Sequence, residues 1–221
     1  MKIFAISPRK WWQSLRKKWL NAKRPTATAA SLGAASPGAA ANPTMFPPLA
    51  GTRREKFILR SADAFEQAGL LALERAAAQE ELKFHLALVY GVNCAFAVEL
   101  YLKCLLAVED SQIPDTHNLK TLFNQLSRES RGKIRKRHDG LAKDHPVLSG
   151  FRQSLGIKTD LNSLLEHGQD VFIQFRYMFE GIPDRIEPVG FALEMFGRIV
   201  RNRILDLRPE LLSDEPTSPI H

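Results

Sequence analysis

The chain carries one long apolar block near its middle and amphipathic patterns on either side of it. From Leu82 to Val108 nearly every residue is apolar, which is typical of a helix surrounded by other helices. The uncharged part of the block, Leu86 to Val98, is 13 residues long, whereas a bilayer requires roughly 20. We therefore expect a core helix from about Glu81 to Val108 and not a membrane span.

Further helices are predicted around this core helix, because apolar residues recur at three- and four-residue spacing. They run from Arg54 to Ala78, from His117 or Asn118 to Leu126, from Asp160 to about Phe179 and from Val189 to Leu207. The apolar set of the first is Phe57, Ile58, Phe65, Leu70 and Leu73. No alternating strand pattern occurs, so an all-α bundle of four to five main helices is predicted.

Capping residues and glycines predict where these helices begin and end. Asp115 or Thr116 is expected to cap the third helix, and Asp160 the fourth. Five glycines and prolines punctuate residues 130–158, which predicts a short basic helix followed by a mobile loop.

Composition is consistent with one domain and flexible ends. The 221 residues are 44% apolar, which is ordinary for a globular protein. We predict a helical domain over residues 53–208, an Ala/Pro/Ser-rich linker over 25–52 and a flexible C-terminal tail over 209–221. Cys94 and Cys104 lie on one predicted helix about 15 Å of rise apart, too far for a disulfide. A reducing, cytoplasmic location is therefore expected.

The net charge of +7 is concentrated in two segments. Residues 1–24 hold eight Lys or Arg and no acid, which leaves 23 bases against 24 acids elsewhere. The exception is Arg128 to Lys143, with seven bases against Glu129 and Asp139. Its central basic patch consists of Arg131, Lys133, Arg135, Lys136 and Arg137. Such a patch is either a solvated helix face or a phosphate-binding surface.

The basic, Trp-rich tail over residues 1–24 has three interpretations. Trp12, Leu15 and Trp19 share one helical face with cations around the other, which favours a helix at a membrane surface or a phosphate-binding arm. A solvated tail without a role, upstream of a start at Met45, is the second interpretation. An organellar transit peptide is the third. All three place the tail outside the fold.

An acid and a base interrupt the core helix. Glu99 and Lys103 are four residues apart, so their side chains lie one above the other and can neutralise each other. Charges at the centre of an apolar helix must be paired, hydrogen-bonded or turned to a cleft. The pair is therefore either an internal ion pair or the floor of a site.

Three blocks in order carry a family resemblance: Asn93 to Leu106, His117 to Phe123 and Phe175 to Glu180. Together they resemble bacterial proteins of the HEPN superfamily (higher eukaryotes and prokaryotes nucleotide-binding). The resemblance covers roughly residues 60–205. It implies a small α-helical domain that forms a homodimer and binds RNA or a nucleotide, with toxin or defence roles, an antitoxin or other protein partner, and no cofactor.

The ribonuclease members of that superfamily carry an Arg, four to six other residues and then a His. Arg176 matches the Arg by helix position, but no His follows until His221. We expect Tyr177 and Glu180 to act with Arg176 as catalytic candidates. Arg131 and His138 have the spacing of this motif, with six residues between them. The segment holds seven bases in sixteen positions, so an Arg at this distance from a His is expected by chance.

Phosphate or nucleotide binding is the role expected for Lys103, Glu99 and His117. A cluster with Arg176 across the bundle would either bind phosphate or hold the helices in register, and His117 could equally be a cap or a packing residue. The first functional hypothesis is therefore a metal-independent ribonuclease or a related RNA-binding domain. The second is a non-catalytic protein-interaction module, which the N-terminal tail could tether to a membrane surface.

Overall fold

A computed structural model describes residues 51–145, 148–149, 152–153, 156, 158–170, 172–173 and 189–213. Over these residues the chain forms six α-helices and one short 3-10 helix, and no strand. The helices are α1 (Gly51–Ala78), α2 (Lys83–Val108), α3 (Leu119–Gln125), α4 (Arg128–Asp144), α5 (Leu161–Gly168) and α6 (Val189–Leu207), followed by the 3-10 helix Pro209–Leu212. The prediction of an all-α bundle is confirmed.

Helix α2 is the centre of the core. Its residues from Tyr90 to Leu106 are largely buried, and α1, α3 and α6 pack around it. Among the described residues it is the one helix long and apolar enough to cross a membrane by length and composition, and 61% of its apolar window is buried inside the protein. Core helices pass the same test, and α2 has the burial expected of one.

The buried face of α1 differs from the one predicted. Phe57 is 61% exposed and Phe65 is also exposed, although both were assigned to the apolar face. The residues buried against α2 are mostly small: Leu59, Ala62, Gly69, Ala72 and Ala76. A Cβ atom on Gly69 would lie 3.3 Å from the Cβ of Asn93, so the two helices approach closely at this point. Ile58, Leu70 and Leu73 of the predicted set do pack, partly buried, against the core, but small residues supply most of the fully buried contact.

The capping predictions are half correct. Asp160 caps α5, because its carboxylate accepts hydrogen bonds from Ser163 N (3.0 Å) and Ser163 Oγ (2.8 Å). The cap of α3 is Asn118, whose Oδ1 accepts from Thr121 N at 2.8 Å. Neither Asp115 nor Thr116 caps that helix; Thr116 Oγ1 instead accepts from Asn118 N at 3.1 Å. Helix α3 therefore begins at Leu119, four residues after the bend at Asp115.

The basic segment forms one continuous helix, α4, which is longer than the short helix predicted; the loop predicted after it lies partly outside the described residues. Ser127 caps α4, and the helix runs for 17 residues through Gly132 and Gly140. Ser130, Ile134, His138 and Ala142 are buried at four-residue spacing and anchor α4 to the bundle. Both glycines are exposed, so they lower helix propensity without breaking the packed face.

Two helix ends near the C-terminus also differ from the predictions. Helix α5 ends at Gly168 instead of continuing to Phe179, and the Gln169 carbonyl accepts a hydrogen bond from Leu119 N at 2.9 Å. This contact uses one of the free N–H groups at the start of α3. Residues 209–212, which were assigned to the flexible tail, form a 3-10 helix with Leu211 buried. The predicted bounds of α6 are confirmed.

Candidate functional site

Glu99, Lys103 and His117 form one cluster, here called the Glu99 cluster. Glu99 is 1% exposed, and its Oε1 atom accepts a hydrogen bond from Lys103 Nζ at 2.8 Å. His117 Nδ1 lies 3.0 Å from both carboxylate oxygens. The side chains of Lys103 and His117 are 18% and 50% exposed, so the cluster extends from the core to the surface. The structure thus brings together the three residues for which phosphate or nucleotide binding was predicted.

The local fold explains why His117 reaches Glu99. Lys103 lies one turn after Glu99 on α2, which fixes the first pair. His117 precedes the Asn118 cap, and Asn118 Nδ2 donates to Asp170 Oδ1 at 3.1 Å. These bonds hold the turn before α3 against the carboxylate. Glu99 is the central acceptor between two bases, so the Glu99 cluster ties α3 to α2.

Several predicted site residues lie outside the described residues. They are the catalytic candidates Arg176, Tyr177 and Glu180 and the membrane-surface candidates Trp12, Leu15 and Trp19. Their roles stay predictions, as does contact between Arg176 and Glu99.

A second polar surface lies in a groove between α4 and α6, here called the α4–α6 groove. Its volume is about 420 Å³. The lining residues are Lys133, Ile134, Arg137, Ile199, Asn202, Arg203, Leu205 and Asp206. Three cations and one carboxylate therefore surround an apolar floor.

The α4–α6 groove divides the predicted basic patch. Lys133 and Arg137, one turn apart on α4, line it, whereas Arg131, Arg135 and Lys136 do not. The sequence missed Arg203, which is buried and donates to Ser130 Oγ at 2.9 Å. The sequence feature that could have indicated Arg203 is its position on the mainly apolar face of α6. Its approach to the basic helix α4 is visible only in the fold.

Two of the groove cations share an acid. Glu129 lies 2.7 Å from Lys133 Nζ and 3.1 Å from Arg203 Nη2. The hydrogen bond from Lys133 and the charges of both bases lower the pKa of Glu129 below its usual range. Within the described part of the chain, Arg137 makes no hydrogen bond or ion pair. Among the described residues, Arg137 is therefore the groove cation without an ion-pair partner, whereas Lys133 and Arg203 share Glu129.

His138, the second member of the literal Arg-x6-His match, is part of the core. Its side chain is 0% exposed and its ring packs edge-on against Phe196 at 6.4 Å between centroids. Nδ1 lies 3.1 Å from Asp139 Oδ1, while Nε2 is buried without a partner in the described residues. Burial lowers the pKa of His138 despite the nearby carboxylates of Asp139 and Asp160. A neutral, enclosed imidazole cannot contact a substrate.

We expect His138 to make the protein less stable as the pH falls below its ordinary pKa of 6.5. The unfolded chain then binds a proton that the folded chain excludes, so the free energy of unfolding drops by at most about 1.4 kcal/mol per pH unit. Thermal melts between pH 7.5 and 5 measure this loss. His138→Leu should show a shallower pH dependence than the wild type, and equal slopes would contradict the assignment.

A polar network that the sequence did not predict joins α1, α2 and α6. The buried Tyr101 hydroxyl lies 2.7 Å from Asp63 Oδ1 and 3.0 Å from Glu66 Oε2, so these two carboxylates share its single proton as acceptors. Arg201 binds both oxygens of Asp63 at 2.7 and 3.0 Å, and Arg198 lies 3.4 Å from Glu66. Burial, together with the bond to Asp63, raises the pKa of Tyr101, so the phenol remains a donor. Arg198 also binds Glu194 Oε1 at 2.7 Å, so the network continues along α6, and together these contacts fix the register of three helices.

Neither cysteine has the surroundings of a reactive thiol. Cys94 and Cys104 are buried and form no disulfide, and burial raises the pKa of the Cys104 thiol to about 12. Neither is a reactive thiolate at neutral pH. No group of three His, Cys, Asp or Glu side chains suited to a metal ion occurs among the residues that the structure describes.

The chain matches no protein-family model, no curated protein and no solved structure. The HEPN resemblance therefore rests on the three sequence blocks alone. The geometry of the α4–α6 groove and of the Glu99 cluster is the remaining basis for inferring a function.

Proposed function

We propose that this domain binds the phosphate groups of RNA or of a nucleotide in the α4–α6 groove. The observation that carries the proposal is the Arg137 guanidinium, which makes no ion pair with any residue that the structure describes and lies beside Lys133 and Arg203 in a groove of about 420 Å³. A phosphate entering there gains charge-assisted hydrogen bonds without first breaking an ion pair of Arg137.

The groove has further features that suit an anion. Arg203 is held by Ser130 and so presents a fixed guanidinium, which loses little entropy on binding. The amide of Asn202 offers donors that are independent of pH. Ile134, Ile199 and Leu205 form an apolar floor that strengthens electrostatic attraction at the groove mouth. Asp206 at the rim opposes binding and limits how deeply a charged group sits.

Arg137→Ala is expected to weaken RNA binding roughly fivefold to tenfold near 0.1 M salt, because one charge-assisted phosphate contact is lost. The slope of log K against log salt concentration should also become shallower by about 0.7 if one phosphate contact to a single strand disappears. Fluorescence anisotropy with a labelled single-stranded RNA, measured over a series of salt concentrations, gives both quantities.

Arg135→Ala is the matched control, since Arg135 is exposed on the same helix but does not line the α4–α6 groove. It should change affinity far less than Arg137→Ala. Equal losses in the two variants would mean that α4 attracts RNA by its overall charge, and the groove assignment would fail. If the wild type binds no RNA, the protein-interaction module becomes the better hypothesis.

Ribonuclease activity is a separate proposal, carried by the resemblance and by Arg176. Incubating the same RNA with the wild type and with Arg176→Ala, and comparing product lengths on a gel, tests it. Cleavage by the wild type alone supports the assignment of Arg176, whereas equal cleavage by both variants overturns it. Intact RNA with the wild type would leave binding as the function of the domain.

A further inference from the structure

A row of four aromatic rings runs across the bundle surface and ends at His117. Phe65 packs edge-on against Phe96 with centroids 4.6 Å apart, and Phe96 stacks on Phe172 at 5.2 Å. Phe172 then packs against the His117 ring at 5.5 Å, with the two planes tilted by 34°. Both end members of the row, Phe65 and His117, are exposed.

The His117 ring is held in place although half of it is exposed. Glu99 fixes Nδ1 from the buried side, and Phe172 covers part of the ring. The carboxylate can only accept hydrogen bonds, so the proton of this contact resides on Nδ1. Within the described residues, Nε2 makes no hydrogen bond. An aromatic ring that is already immobilised loses little entropy when a flat ligand stacks on it.

A cation lies next to the exposed ring. Lys103 Nζ and His117 Nδ1 share the Oε1 atom of Glu99, so the ammonium and the imidazole are neighbours. The ammonium has three N–H donors and uses one on Glu99, and its side chain is partly exposed. A flat aromatic surface beside an ammonium group is the combination that binds unpaired bases together with their phosphates.

From this juxtaposition we infer that His117 stacks on an unpaired nucleobase while Lys103 contacts the adjoining phosphate. The inference rests on the proposed function, and it specifies the ligand as single-stranded RNA or a free nucleotide, because a base in a duplex presents no free face. Stacking on an aromatic ring tolerates any base, so little sequence preference is expected at this position.

Two fluorescent decamers test the inference: an adenosine RNA and an abasic oligonucleotide with the same number of phosphates. His117→Ala should weaken binding of the adenosine RNA about fivefold or more and leave the abasic affinity unchanged. Two further variants separate the ring from the hydrogen bond. His117→Phe keeps an aromatic face and should bind nearly as the wild type does, whereas His117→Gln keeps a donor for Glu99 and should resemble His117→Ala.

His85→Ala is the matched control, since His85 is an exposed histidine elsewhere on α2, and it should leave both affinities unchanged. Melting curves of all variants establish that they are folded. Equal adenosine RNA affinity in the wild type, His117→Ala and His117→Gln would overturn the stacking site while leaving the α4–α6 groove intact. Absence of binding by the wild type to both decamers would overturn the proposed function and this inference with it.

Discussion

Glu99→Ala is expected to lower the free energy of unfolding by about 2–4 kcal/mol, because it removes the shared acceptor of Lys103 and His117. Removing one partner of a buried pair leaves the other charge desolvated and unpaired, and here Lys103 is mostly buried. The methyl group of Ala also leaves a space in the tightly packed centre of α2. For a domain of this size the melting temperature should fall by roughly 5–15 °C.

A matched pair of variants separates charge from packing at this position. Glu99→Gln keeps the shape and one acceptor oxygen but loses the charge, so it should cost less than Glu99→Ala. The double variant Glu99→Leu with Lys103→Met removes both charges and fills the space, and it should recover much of the lost stability. Denaturant unfolding of all three gives the free energies. A double variant less stable than Glu99→Ala would show that the Glu99 cluster contributes more than charge compensation.

A long apolar segment made α2 predictable, and an amphipathic pattern did the same for α6. Val189–Leu207 has the bounds that were expected, and α2 begins within two residues of its predicted start. In both helices most of the large apolar side chains that the structure describes are buried or partly buried, with Val89 and Leu207 as exposed exceptions, so the sequence pattern and the packing largely agree. The pattern was only partly right for α1. Ile58, Leu70 and Leu73 pack against the core as expected, but the fully buried residues are mostly small and Phe57 is exposed. Hydrophobic periodicity weights large side chains, whereas a close helix crossing requires small ones.

Only part of the Glu99 cluster could be predicted from the sequence. The i, i+4 spacing of Glu99 and Lys103 is visible in the sequence, because helix geometry alone brings the two together. His117 is 18 residues from Glu99, and its approach depends on the turn before α3 and on its anchoring to Asp170. Capping preferences allowed several residues in that turn, so only the fold selects Asn118 and thereby orients His117.

Composition could predict only part of the charged surface at the α4–α6 groove. Counting bases identified the helix that carries Lys133 and Arg137. It could not divide that helix into a face that lines the groove and a face that does not. Packing of Ile134 and His138 against α6 fixes that division, and the same packing brings in Arg203 from α6. Tertiary contact therefore selects the residues of the candidate site from a larger basic patch.

Phe196→Ala is expected to lower the free energy of unfolding by about 3–5 kcal/mol, the usual cost of removing a fully buried phenyl ring. Phe196 lies on α6 and is fully buried, with the Phe123 ring 6.0 Å and the His138 ring 6.4 Å from its own centroid. Its loss therefore weakens the contacts of α6 with α3 and α4 together. Urea unfolding followed by circular dichroism measures the change.

Phe57→Ala is the matched control, with the same atoms removed from a side chain that is 61% exposed. It should change the free energy of unfolding by at most about 0.5 kcal/mol, as surface substitutions usually do. The hydrophobic pattern of the sequence predicts a large loss at Phe57, because it assigns that residue to the buried face of α1. A small effect at Phe57 beside a large one at Phe196 would support the packing in which small residues join α1 to α2, and comparable losses would contradict it.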